Sequence, residues 1–192
     1  MVSRVLIVCL LGLAVTGCDR KSPAPEQANV VAADEVAAAP DEVTAGPAAP
    51  VDKLDRSHKG EVGPSVAFTA PDSKAVTLAS FKGKPLLLNL WATWCAPCVA
   101  EMPTLDKVAE RMQVVAISQD LKGAAQVDPF FAKAGLRHIK RYLDPGVTLS
   151  VAYQASLPTS ILYDSAGREV WRMTGGMDWT SGTATDLLAE AR

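Results

Sequence analysis

Two cysteines stand three positions apart in the run Trp94-Cys95-Ala96-Pro97-Cys98, directly after an apolar stretch. Thiols at that spacing suit reversible exchange with a disulfide, in which one thiolate attacks and the other releases what has been captured. Residues 85 to 91 (Pro-Leu-Leu-Leu-Asn-Leu-Trp) are too short and too continuously apolar for an amphipathic surface helix, and read as a strand buried on both faces. After Trp94 the period changes. Val99, Met102, Leu105, Val108, Ala109 and Met112 recur at helical spacing from Ala96 to Met112, and Pro97 falls in the first turn, where its missing N–H is harmless. Cys95 therefore stands at a helix N-terminus, where unpaired N–H groups and the positive end of the macrodipole favour a thiolate. Cys95 is the expected nucleophile. Cys98, one turn inside the helix and less open to solvent, can close back onto Cys95 as the resolving thiol of a redox-active Cys95–Cys98 disulfide.

Three blander readings of the pair are weaker. A zinc half-site lacks a second cysteine pair and has only His58 and His138 as helpers. A permanent structural disulfide across so short a loop constrains the unfolded chain little. Two reduced core cysteines would not call for the surrounding Trp-Cys-x-Pro-Cys frame. No metal and no bound cofactor is expected.

The rest of the 192-residue chain must carry this dithiol. An apolar content of 48% suits a soluble core, and a net charge of -2 with no basic run argues against a nucleic-acid partner. Phe68 is the first aromatic residue and every other one follows it, so the folded domain is expected over residues 61–192. Ahead of it lie two distinct segments. Arg4, the apolar run Val5 to Val15, and Val15-Thr16-Gly17-Cys18 look like a bacterial lipoprotein signal over residues 1–17, with Cys18 the acylated residue. An uncleaved N-terminal anchor is the alternative, although the run is short against the roughly 20 residues of a spanning helix. Both place the domain outside the cytoplasm beside a membrane. Asp19 after the cysteine weakly favours the inner membrane. Residues 18–60 are rich in Ala, Pro and acidic residues, and from Ser22 to Pro50 hold no Lys, Arg or aromatic residue. Such a segment buries too little apolar area to fold and is expected to be a disordered tether.

Within the domain the pattern predicts an edge strand at Ser65 to Ala70, a turn at Pro71-Asp72-Ser73, a small strand or loop at Val76 to Phe81, and the buried strand and helix already described. Further strands are expected at Gln113 to Ser118, His138 to Leu143, Thr159 to Tyr163 and Glu169 to Met173, the last two joined by a turn at Asp164 to Gly167. Helices are expected at Gln126 to Ala134, Gly146 to Gln154 and Gly182 to Ala191. Alternating strands and helices that end in a hairpin make an α/β fold with a mixed central sheet flanked by helices.

The Trp-Cys-x-Pro-Cys frame between strand and helix resembles the thioredoxin superfamily. Cys98-Val99-Ala100-Glu101-Met102-Pro103, Leu157-Pro158-Thr159-Ser160, Gly176-Met177-Asp178-Trp179 and the long segment between Ser118 and Pro158 narrow the resemblance to the TlpA/ResA-like extracytoplasmic thiol-disulfide oxidoreductases. It covers roughly residues 60 to 190, and it implies a thioredoxin fold with an insertion before the strand that follows a cis-proline. That proline is Pro158. The resemblance implies that Leu157 and Thr159 offer backbone groups to an extended substrate, with Trp94 and Pro97 on the same face, whereas Trp91 belongs to the core. A trans-proline at a strand start is the alternative for Pro158. Where thioredoxin has a buried aspartate under the thiols this chain has Asn89, which accepts no proton. Glu101, within about 60° of Cys98 around the helix, is then the expected proton acceptor, provided burial raises its pKa; an exposed surface glutamate is the alternative. Pro103 is expected to kink the helix.

The resemblance further implies a protein-disulfide reductase serving cytochrome c maturation or copper-centre assembly. Its partners would be disulfide-containing proteins and a membrane thiol reductant of the DsbD/CcdA kind. A copper(I)-handling chaperone and a thiol peroxidase are the rivals from other classes. No Met-rich stretch or third cysteine beside the pair supports the first, and the lone CxxC pair argues against the second.

Overall fold

The computed structural model describes residues 53–191, so the expected signal peptide, Cys18 and the tether up to residue 52 lie outside the described residues. The described chain contains β1 (Leu54–Asp55), β2 (Phe68–Thr69), β3 (Ala75–Val76), β4 (Leu86–Trp91), α1 (Ala96–Ala109), β5 (Gln113–Ser118), α2 (Ala124–Ala134), β6 (Tyr142–Leu143), α3 (Thr148–Tyr153), β7 (Thr159–Tyr163), β8 (Glu169–Thr174) and α4 (Gly182–Leu188). One mixed sheet runs in the order β1-β8-β7-β4-β5-β6-β2-β3. β4 lies at its centre, parallel to β5 and antiparallel to β7. This is the α/β architecture that the sequence predicts.

Every residue of β4 is buried, which explains its unbroken apolar run. Alternation along the strand sends Leu87 and Trp91 into a core with Cys98, Met102, Leu105 and Val108 of α1, together with Val127 of α2 and Leu187 near the end of α4. Leu86, Leu88 and Leu90 point into a second core with Leu149 and Tyr153 of α3. The helix that carries the cysteines is thus seated on the strand that precedes it.

Several boundaries differ from the sequence expectation, each for a local reason. The domain starts before residue 61: Leu54 and Asp55 pair with Met173 and Arg172 of β8, and Gly60 N–H donates to the Glu169 carbonyl at 2.7 Å. An edge strand held by backbone bonds leaves no apolar mark in the sequence. The strand expected from His138 shortens to Tyr142–Leu143, because the N–H groups of Arg137, His138 and Ile139 all turn to the Asp106 carboxylate. α1 stops at Ala109, where the Arg111 N–H tightens onto the Val108 carbonyl three residues back. α2 ends on Gly135 in the left-handed region at φ 65°, a conformation glycine adopts without strain. Between β5 and β7 the chain inserts α2, β6 and α3.

Candidate active site

Cys95 caps α1. Its backbone is extended, and its sulfur accepts the Cys98 N–H at 3.3 Å, so one of the first-turn donors points at that sulfur. Pro97 occupies the first turn as the sequence predicts. Cys95 and Cys98 are joined in a disulfide with Cα atoms 5.3 Å apart. Cys95 is 6% exposed and Cys98 has no accessible surface, so of the two sulfur-bearing residues only Cys95 reaches solvent. Trp94, immediately before the pair, is 65% exposed, whereas Trp91 is fully buried and packs against Phe130, the ring centroids 5.0 Å apart and the planes tilted by 48°.

The loop from β4 to Cys95 is held by a residue that sequence reasoning did not single out. Asp120, just past β5 and fully buried, accepts the Thr93 N–H at 3.0 Å, the Thr93 hydroxyl at 2.7 Å and the Ser118 hydroxyl at 2.8 Å. An acidic residue after an apolar strand, opposite a threonine ahead of the cysteines, is the only sequence signal it leaves. Replacing Asp120 with Ala orphans these donors. The expected loss is about 2 kcal/mol, read as a lower denaturation midpoint, together with slower reaction of Cys95 as its loop loosens. Unchanged values of both would show that the clamp positions nothing.

The Leu157–Pro158 peptide bond is cis, and the Pro158 carbonyl accepts the Gly175 N–H at 2.8 Å. Thr159 lies inside the sheet, opposite Leu90 of β4 and Thr174 of β8, and is buried. The expectation that Thr159 offers its backbone to a substrate is therefore corrected: its position between two strands is taken, and half-buried Leu157 is the flanking residue that remains outside the sheet. The loop after β8 closes over the start of α1. Gly176 comes so near that a Cβ there would lie 3.2 Å from the Pro97 carbonyl oxygen, a contact tighter than side chains normally tolerate.

Glu101 sits one helical turn beyond Cys98 and is 3% exposed. Its Oε1 accepts from Asn89 Nδ2 at 2.8 Å, and its Oε2 accepts from the Met177 N–H at 3.0 Å and Trp179 Nε1 at 3.1 Å. Burial outweighs these three donors and pushes the carboxyl up to about 7. The alternative of a surface glutamate is thereby excluded. A cleft bordered by Pro97, Ala100, Thr104 and Asp178 is also lined by Glu101. In the sequence Trp179 contributes only to a resemblance; its role as a donor to Glu101 depends on the three-dimensional packing. Among the described residues no three His, Cys, Asp or Glu side chains are grouped to hold a metal ion.

Residues 58–188 match the Redoxin family. The chain belongs to that family. The redoxin is 30% identical over 129 residues to the thiol-disulfide oxidoreductase ResA of Bacillus thuringiensis, across 64% of its own length and 73% of the relative's. Its fold is similar to that of a DsbE-type thiol:disulfide interchange protein from Chlorobium tepidum, with a TM-score of 0.62 at 24% identity over 70% of this chain and 98% of that one. An exposed lipoprotein thioredoxin from Streptococcus pneumoniae superposes with a TM-score of 0.56 at 26% identity, over 66% and 99% of the two chains. With the Cys95–Cys98 pair in place, this redoxin is a thiol-disulfide oxidoreductase of the thioredoxin superfamily, as the ResA-like resemblance implies.

Proposed function

We propose that the redoxin works outside the cytoplasm, tethered to a membrane through an acylated Cys18, as a reductant of disulfides in protein substrates of the cytochrome c maturation or copper-centre assembly type. The observation that carries the reading is the vertical order of the site: exposed Trp94, near-surface Cys95, enclosed Cys98, then the buried Glu101 carboxyl. That order separates attack from release.

In the forward direction the Cys95 thiolate attacks a substrate disulfide, forming a mixed disulfide and expelling one substrate thiolate. Trp94, Pro97 and Leu157 give the incoming segment an apolar contact face. Cys98 then loses its proton to Glu101 and attacks Cys95 Sγ, which releases the second substrate thiolate and closes the Cys95–Cys98 disulfide. Two electrons have passed to the substrate. A membrane thiol reductant of the DsbD/CcdA kind would return them, and no bound cofactor enters the cycle. The reducing direction is supported by Ala96-Pro97 between the cysteines, closer to reducing thioredoxins at about -270 mV than to DsbA at about -120 mV. The location is supported by the resemblance of residues 1–18 to a lipoprotein signal.

Equilibration with dithiothreitol mixtures tests the direction, and incorporation of labelled palmitate into wild-type and Cys18→Ala cells tests the anchor. The expected results are a potential nearer the thioredoxin end of that range and label present only when Cys18 is intact. A potential at the DsbA end would overturn the reductant assignment, and label that persists in the Cys18→Ala protein would overturn the anchor.

A further inference from the structure

Asn89 lies in the middle of β4 with no accessible surface, and the two ends of its amide are treated unequally. Nδ2 donates to Glu101 Oε1 at 2.8 Å and to Ser160 Oγ at 3.0 Å, which uses both of its hydrogens. Oδ1 has no partner. A buried carbonyl left without a donor is costly, and native structures keep few of them without cause.

Alternation along β4 places Asn89 on the face of Leu87 and Trp91, the face that packs beneath Cys98, Met102 and Leu105 of α1. Cys98 is as completely enclosed as Asn89, one helical turn ahead of the glutamate to which the amide is bonded. In the disulfide its sulfur carries no hydrogen. Once reduced, it holds an S–H group, a weak donor that water does not reach. Oδ1 lacks a donor in the oxidised protein, and reduction adds one on the face of β4 where it lies.

We propose that Asn89 Oδ1 accepts the Cys98 S–H in the reduced protein, so that Asn89 is a positioning residue that biases the pair toward the dithiol. The inference rests on disulfide exchange at Cys95 and Cys98. Reduction breaks the S–S bond with two electrons from an external dithiol, which becomes a disulfide and gives up two protons. One proton stays on Cys98 Sγ, directed at Oδ1; the other stays on Cys95 or passes to solvent.

Asn89→Leu keeps the volume and removes the acceptor. In dithiothreitol equilibration its ratio of reduced to oxidised protein is expected to fall about tenfold, a potential about 30 mV more negative. A merely structural asparagine would change stability in both states and leave that ratio alone. The side-chain carbonyl carbon of Asn89, followed by NMR in the unaltered protein, is expected to move downfield on reduction, which keeps the test open if the leucine variant does not fold. A variant ratio within twofold of wild type, or an Asn89 carbonyl resonance that does not move, overturns the proposal. Neither result touches exchange itself, which fails only if dithiothreitol cannot reduce the wild-type pair.

Discussion

Replacing Cys98 with Ser turns the redoxin from a catalyst into a trap: turnover in dithiothreitol-driven insulin reduction falls by at least about a thousandfold, while a covalent adduct with substrate accumulates on Cys95. The two sulfurs are not equivalent. Cys95 keeps a small accessible surface and receives an N–H from the first turn of α1, whereas Cys98 has no accessible surface and can meet only what Cys95 already holds. Without Cys98 the mixed disulfide has no internal route to release and waits for an external thiol. Cys95→Ser should be equally inactive but form no adduct, since the enclosed Cys98 cannot reach a protein disulfide. Equal adduct yields from the two variants, measured by non-reducing electrophoresis, would mean that the roles are reversed or shared. In cells, the protein held on Cys95 of the Cys98→Ser variant identifies the substrate.

Much of this site was legible because its chemistry depends on local patterns. Cysteine spacing, Pro97 in the first turn and the change of period after Trp94 act within a few residues, and α1 begins at Ala96 as they require. β7 likewise occupies Thr159–Tyr163 as predicted. What remained hidden depends on residues far apart in the chain. Asp120 clamps Thr93 from 27 positions away, and Trp179 reaches Glu101 across 78; neither pairing has a period or composition that a sequence reveals. β1 was missed for a related reason, since an edge strand of two residues owes its existence to the partner strand β8 and not to its own side chains. Glu101 falls between the two cases. Its helical phase relative to Cys98 could be read directly, but its burial depends on the loop from Gly176 to Trp179 folding over it.

Glu101→Gln is expected to make the protein more stable and a poorer catalyst at once, both differences growing as pH rises. Burial raises the folded-state pKa from the ordinary 4.5 to about 7. Between these values the folded protein holds a proton that the unfolded chain gives up, so stability is highest below about pH 4.5 and declines as pH rises to about 7. Above that the full penalty is present, roughly 3 kcal/mol from the size of the shift. Glutamine carries no charge to bury. Its oxygen can keep the Met177 and Trp179 donors, and its amide hydrogens face Asn89, whose Oδ1 is without a partner and can meet them if that amide turns. Urea titrations of the oxidised proteins should therefore coincide near pH 4.5 and separate in favour of the variant by pH 8. The catalytic effect runs the other way. Glu101 accepts the Cys98 proton only when ionised, so wild-type release of a mixed disulfide should quicken as pH rises through about 7, while the variant lacks that rise and is slower at pH 8 by about 100-fold, the ordinary worth of a placed base. A variant that is less stable at pH 8 would show that the buried carboxylate carries no net penalty. One that releases substrate as fast as wild type would remove Glu101 from the proton path, leaving Cys98 to lose its proton directly to solvent.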